Sequence, residues 1–450
     1  MSEIAVVVLA AGKGTRMKSR LPKVLHRVAG RPLLHHVLAS AGALGPARLA
    51  VVLGPDMEAV AGSLGQNWPD AEVVVQEERL GTGHAVQCAG GVLGNVPGDV
   101  LVLYGDVPLV ESASLERLVA ARREAGAAIA VLGFTPDDPA GYGRLVCDAE
   151  GHVVRIVEQV EASPEEAAIP LCNSGIIAAD GAVLRRLLEK LAPDNAKGEY
   201  FLTDVVALAA AEGLRSVHTE VADATEVLGI NDRAQLAVAE AAMQVRLRAA
   251  ALAAGVTMVD PSTVWLNWDT VLGPDVTIEP GVVFGPGVEV GEGSEIRAFS
   301  HLEGVVVGMG VQIGPFARLR PESTIGDGAR IGNFVETKKA AIEAGAKVNH
   351  LSYIGDARVG EGANVGAGTI TCNYDGFTKS LSDVGAGAFI GSNSALVAPV
   401  KIGDGAVVGA GSVITEDVSA DSIATARGAQ EEREGAAARR RERLRTKKGK

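Results

Sequence analysis

From residue 272 onward an apolar residue returns at every sixth position. Leu272, Ile278, Phe284, Val290, Ile296 and Leu302 hold the phase. It slips by one and resumes at Val307, Ile313, Leu319, Ile325 and Ile331, then again over Val384, Ile390, Leu396, Ile402, Val408 and Ile414. One inward aliphatic per six residues fits a coil of three short parallel strands, about 18 residues to the coil. Gly and Asn, frequent in IGDGARIGNF and VGAGAFIGS, supply tight or left-handed corners. A Gly-rich linker does not hold an aliphatic phase over so many steps. The phase breaks around Lys338–Val348 and in the polar stretch TCNYDGFTKSLSD, Thr371–Asp383. Loops leave a repeat at such breaks, and loops carry function.

The first half has another rhythm. Ile4–Ala10, Leu49–Leu53, Glu72–Gln76, Val100–Tyr104, Ala128–Phe134 and Gly175–Ala179 are apolar enough for strands. Leu115–Arg123 and Val183–Leu191 have helical patterns. Alternation of this kind predicts a mostly parallel sheet covered on both faces, with ligands beyond the C-terminal strand ends. Asp232–Ala254 lacks Gly and Pro and predicts one long connector helix. The expected domains are 1–228, a linker helix over 229–254, 255–430, and a charged tail over 431–450, disordered or weakly helical.

Composition narrows the function. The 450 residues carry a formal net charge of −13, which argues against a nucleic-acid binder. No apolar run is long enough to span a membrane, and Gly12 interrupts the first one, so no targeting segment is expected. Cys88, Cys147, Cys172 and Cys372 have no C-x-x-C spacing and suit free thiols in a reducing cytoplasm.

LAAGKGTRM, residues 9–17, follows the first strand. It is not a P-loop, because Gly14 follows Lys13 and position 7 is Val. It is not a dinucleotide fingerprint, because position 17 is Met. A Gly-rich loop with Lys13, Arg16 and Lys23 nearby still suits phosphate. Asp106, just past a buried strand, suits Mg²⁺, and taken alone it also suits a helix N-cap before Pro108.

LAAGKGTRM followed by LPK resembles the signature of the sugar-nucleotide pyrophosphorylases. The resemblance continues through Gln76, GTGHA, YGDVPL, GYGR, IVE, CNSGI, GEYFLTD and GINDR. The repeat resembles the left-handed parallel β-helix of hexapeptide-repeat proteins. Together, over residues 3 to about 430, the chain is similar to the bacterial family that joins an N-acetylglucosamine-1-phosphate uridyltransferase to a glucosamine-1-phosphate N-acetyltransferase. That implies an α/β fold: a Rossmann-like nucleotidyltransferase domain, the connector helix and the β-helix. It also implies UTP, acetyl-CoA and Mg²⁺, a homotrimer through the β-helix, and a cytoplasmic place in cell-envelope synthesis.

The resemblance further implies site residues. Asp106 and Asn231 hold the metal. Leu9, Ala10, Ala11, Gly12, Lys23, Gln76, Gly81 and Thr82 contact the nucleotide. Tyr104, Gly105, Gly143, Glu158, Asn173 and Asn231 contact the sugar. Arg16 and Lys23 balance phosphate charge. In the repeat, His350 is the general base and Glu336 orients it. Arg320, Lys338, Tyr353, Asn364 and Lys379 take glucosamine-1-phosphate. Ala367, Asn373, Tyr374, Ser392, Ala410 and Arg427 take acetyl-CoA. Imidazole suits removal of an ammonium proton near neutral pH. Two positions depart from the family: Gly428-Ala429 lacks the usual Pro, and Ser382 replaces a Thr. The competing reading is a single-activity nucleotidyltransferase with a regulatory or assembly β-helix, and a pure interaction scaffold is a third.

Overall fold

A computed structural model describes residues 3–94, 98–195 and 198–448. The chain divides into two compact units, Met1–Leu247 and Arg248–Lys450.

The first unit is built on a nine-stranded sheet. Its strands are β1 (Ile4–Leu9), β2 (Arg48–Leu53), β3 (Glu72–Val75), β4 (Asp99–Tyr104), β5 (Ile129–Phe134), β6 (Arg144–Cys147), β7 (Val153–Val157), β8 (Cys172–Asp180) and β9 (Ser216–Glu220). The order across the sheet is β9-β5-β8-β4-β1-β2-β3, with β6 and β7 attached beside β8. All neighbours along that path are parallel except β8, which runs antiparallel to both β4 and β5. β1 shows why its sequence is apolar without alternation. Val6 and Val8 enter one core, Ala5, Val7 and Leu9 the other, so both faces are covered.

The helix Arg233–Ala253 is where the expected linker lies. Its early turns do not act as a free linker. Leu236, Ala239, Ala242 and Met243 pack against Val28, Leu33, Leu109 and Ile230. Glu240 Oε2 accepts from Ala29 N at 2.7 Å, and Arg246 Nη1 donates to Leu109 O at 2.5 Å. The division between the two compact units accordingly falls at Leu247, inside this helix. The apolar positions follow helical spacing, so one stripe docks on the sheet unit. A fragment ending at residue 230 is expected to melt about 5–10 °C below one ending at residue 252, from a few kcal/mol of lost burial. Equal melting curves would show that the helix adds nothing to the first unit.

The second unit is a parallel β-helix of two- to seven-residue strands. Ile278 stacks under Ile296, which stacks under Ile313, Ile331, Val348 and Val365 in turn. The next partner of Val365 is Ile390, and that longer step holds the loop Thr371–Asp383. A second inward position, two residues before each aliphatic, is also buried. It carries Val276, Val282, Val288, Ser294, Ser300 and Ala317. Its small and mixed residues hide it from a hydrophobic count. At one corner Phe299, Phe316 and Phe334 adopt positive φ and stack at centroid distances of 5.1 and 5.4 Å. Stacking of about 0.5–1.5 kcal/mol per pair offsets a left-handed cost of similar size.

The tail, expected to be disordered or weakly helical, is a helix over Ala436–Lys448 with no buried residue. Its Ala, Arg, Leu and Lys content favours helix without any core to dock on. Gly449 and Lys450 lie outside the described residues. The four cysteines are free. Among the described residues no helix is long and apolar enough to cross a membrane.

Candidate active sites

In the first unit, a cavity of about 260 Å³ opens beyond the C-terminal end of β1. Leu9, Ala10, Ala11, Gly12, Lys23, Gln76, Gly81, Thr82, Tyr104 and Asp106 all line it. Several glycines are there for space. A Cβ on Gly14, at φ 59°, would lie 2.5 Å from Lys23 Cβ. A Cβ on Gly81, at φ 109°, would lie 2.6 Å from Tyr200 O. Tyr200 belongs to GEYFLTD, and this is what that motif does. Gly83 N donates to Tyr200 O at 2.8 Å, Tyr200 N to Leu80 O at 2.8 Å, and Leu202 N to Thr82 Oγ1 at 3.0 Å. GTGHA is thus braced along its length. Gln76, 3% exposed, donates to Gly81 O at 3.0 Å.

Of the expected sugar residues, Tyr104 lines this cavity, and Gly143, Glu158 and Asn173 group with one another. Asn173 N donates to Gly143 O at 2.9 Å, and a Cβ on Gly143 would lie 3.7 Å from Glu158 Oε1. Tyr104 joins the two groups. Burial pushes its phenol up, Asp106 and Glu158 add to this, and a hydrogen bond with Thr82 opposes it. The phenol stays a neutral donor. Gly105 N continues the ladder to Leu9 O at 2.9 Å.

Asp106 and Asn231 are far apart in sequence and adjacent here. Ile230 N donates to Asp106 O at 2.9 Å. Asp106 Oδ2 and Asn231 Oδ1 both bond to the Lys23 ammonium, Asn231 at 3.3 Å. Two hard oxygens converging on one cationic atom fit a divalent cation such as Mg²⁺.

Arg16 is not part of the cavity wall. The turn Thr15–Met17 is bounded by left-handed Gly14 and Lys18, which bury Met17 and leave Arg16 exposed. Arg79 was not foreseen. It lines the cavity, donates from Nε to Ala11 O at 2.7 Å and pairs with Asp56. A Cβ on Gly54 would collide with its guanidinium. A cation two residues before GTG was the visible signal. Only the fold brings it to the Gly-rich loop.

In the β-helix, corner hydrogen bonds define a column. Leu351 N donates to Asn333 O, Gly368 N to His350 O, Asn393 N to Ala367 O and Gly411 N to Ser392 O, at 2.7–3.1 Å. Arg427 Nη1 then donates to Ala410 O at 2.7 Å. His350, Ala367, Ser392 and Ala410 therefore stand one above another. His350 is exposed, and its Nδ1 lies 2.8 Å from Asn333 Oδ1. With that oxygen as acceptor, Nδ1 carries the proton and Nε2 keeps a free lone pair.

Glu336 has partners other than His350 within the chain. It pairs with Arg320 at 2.9 Å, and its partner in the next coil is Tyr353. In the coil register Asn333 is the residue that pairs with His350. Asn333 was missed because an Asn in a Gly-rich repeat looks like a corner residue.

Arg320, Lys338 and Lys379 gather. Lys379, by direct contact and by charge, holds the Lys338 ammonium below the usual lysine range, with desolvation and Arg320 adding to it. Three clustered cations suit a phosphate. Lys379 is placed by the loop's own hairpin. Tyr374 bridges antiparallel to Lys379, and Ser380 N donates to Asn373 O at 2.9 Å. The Asp375 carboxylate accepts from Thr378 N at 2.7 Å and Phe377 N at 2.8 Å, which holds its carboxyl at about 2. Asn373 Nδ2 bonds to Asp356. Asn364 stands in the same sheet as His350, between Lys347 and Phe389, whereas Lys338 lies in the other sheet.

Comparison with known proteins bears on both units. Residues 6–217 match the MobA-like NTP transferase domain. Residues 269–304, 304–339 and 382–416 match the bacterial transferase hexapeptide repeat, and so the coil is the left-handed β-helix. A "Bifunctional protein GlmU" of Paramagnetospirillum magneticum is 59% identical over all of this chain and 99% of its own length. That of Azorhizobium caulinodans is 57% identical over 97% of this chain and 98% of its own.

Proposed function

The chain belongs to the family of bifunctional GlmU proteins, and from that premise we propose how its two sites divide the work. It is a transferase with two activities. The first unit transfers uridylyl from UTP to N-acetylglucosamine-1-phosphate and releases pyrophosphate. The β-helix acetylates glucosamine-1-phosphate from acetyl-CoA. The product, UDP-N-acetylglucosamine, feeds cell-envelope synthesis.

At the first site the work is positioning and charge balance. The Leu9–Gly12 backbone, Gln76, Gly81 and Thr82 hold the nucleotide. Tyr104, Gly105, Gly143, Glu158 and Asn173 seat the sugar so that its phosphate oxygen faces the α-phosphorus. Lys23, and Arg16 from the rim, offset phosphate charge. The reaction is metal-dependent. Asp106 and Asn231 would hold Mg²⁺, which supplies further charge neutralisation.

At the second site Arg320, Lys338 and Lys379 hold the sugar phosphate, beside Tyr353. The column through Ala367, Ser392 and Ala410, with Asn373, Tyr374 and Arg427, lays the acyl donor along the prism. His350 Nε2 takes a proton from the substrate ammonium. The freed amine attacks the thioester carbonyl, the amide C–N bond forms as the C–S bond breaks, and the proton shed by the amide nitrogen goes to the sulfur, so that CoA leaves as the thiol. The hexapeptide-repeat β-helix supports a homotrimer assembled through that unit. Free cysteines and the lack of a spanning helix among the described residues support a cytoplasmic location.

The column under His350 carries the second activity, since a structural coil needs neither that base nor the cation cluster. Incubation with glucosamine-1-phosphate, acetyl-CoA, UTP and Mg²⁺ should yield UDP-N-acetylglucosamine, CoA thiol and pyrophosphate. Uridylyl transfer to supplied N-acetylglucosamine-1-phosphate without thiol release would instead favour a single activity with an assembly β-helix. Lys379→Ala should raise the KM for glucosamine-1-phosphate by about tenfold or more, the scale of one lost charge-assisted hydrogen bond. Uridylyl transfer should not change. An unaltered KM would remove Lys379 from the phosphate site.

A further inference from the structure

Lys23 sits where the two proposed metal-binding oxygens meet. Its ammonium pairs with Asp106 Oδ2 and donates to Asn231 Oδ1 at 3.3 Å. The pair is poorly screened, with side-chain exposures of 12% for Lys23 and 20% for Asp106. The backbone keeps it close. Gly14 leaves room for the Lys23 stem, and the Ile230 N to Asp106 O bond docks the Asn231 segment. An ammonium and a divalent cation cannot share these oxygens, because like charges about 4 Å apart repel by several kcal/mol at the dielectric of a partly buried site. Lys23 also lines the nucleotide cavity, so a second place is open to its ammonium.

We infer that Lys23 is an internal competitor for the divalent-cation site, and that cation binding turns its ammonium out of the Asp106–Asn231 pair toward the triphosphate. This rests on the assignment of Asp106 and Asn231 as cation ligands. A site filled by its own side chain binds a cation more weakly, in proportion to the fraction of molecules in which the side chain is displaced. Nucleotide phosphates that attract Lys23 raise that fraction. Lys23 therefore couples cation and nucleotide binding in addition to any direct contact between the two ligands. It acts on the cation as a positioning residue, through the oxygens it occupies.

The test uses the full chain without nucleotide and Mn²⁺ as the probe, read by calorimetry. Lys23→Met should bind Mn²⁺ about tenfold more tightly than wild type, the gain expected if the ammonium fills the site nine-tenths of the time. Asp106→Asn should bind it at least tenfold more weakly. Equal or weaker binding by Lys23→Met, with binding lost in Asp106→Asn, overturns the competition and leaves the ligand assignment standing. Unchanged binding by Asp106→Asn overturns the assignment itself. A second measurement needs no variant. Labelling of wild-type Lys23 by an amine-reactive reagent, followed by mass spectrometry, should run several-fold faster with Mg²⁺ than without. Labelling unchanged or slowed by Mg²⁺ overturns the inference even if Lys23→Met fails to fold.

Discussion

Asp106→Ala is expected to lower uridylyl transfer by about 10³-fold or more, the scale of losing a metal-anchoring charge in a phosphoryl site. Acetyl transfer by the same preparation should stay at the wild-type rate, because its residues belong to the other compact unit. The variant has a side effect that must be separated from chemistry. It leaves the Lys23 ammonium, 12% exposed, without its carboxylate partner. Asp106→Asn keeps the shape and removes the charge, so it should match the Ala variant in rate while melting closer to wild type. Uridylyl transfer within threefold of wild type in both variants would remove Asp106 from the site. A large loss in both activities would point to unfolding instead.

His350→Ala is expected to cut acetyl transfer by about 10²-fold or more, the usual scale for a general base. Uridylyl transfer should be untouched. His350 is exposed at the corner of a coil and adds nothing to the aliphatic column inside, so the melt should not move. A variant that keeps near-full acetyl transfer would make His350 a surface residue.

Much of this was legible along the chain. The six-residue phase requires a coil, because nothing else returns an apolar side chain to one interior line at that step. Both breaks in the phase lie beside the second site, and LAAGKGTRM lies at the mouth of the first. Ten residues named from the motifs line one cavity. Other features left no trace. β9 is short and polar, SVHTE, and becomes a strand only because β5 offers it an edge. The direction of β8 is invisible in an apolar run that suits either orientation. The second inward position of the coil is filled by Val, Ser or Ala, which hydrophobicity alone does not separate from corner residues.

Local pattern dictated what depends on neighbours along the chain: strand and coil periodicity, the Gly-rich loop, and the residue types able to hold phosphate or carry a proton. The tertiary structure decided pairings between residues distant in sequence. It gave His350 to Asn333 and Glu336 to Arg320, by a register that shifts wherever the coil slips by one. It brought Arg79 to the carbonyl of Ala11 and set Lys23 between Asp106 and Asn231. It also attached the early turns of a supposed linker to the first unit. Side-chain partners depend on how strands stack and where chain segments cross, and a linear pattern carries no distance between segments that meet only after folding.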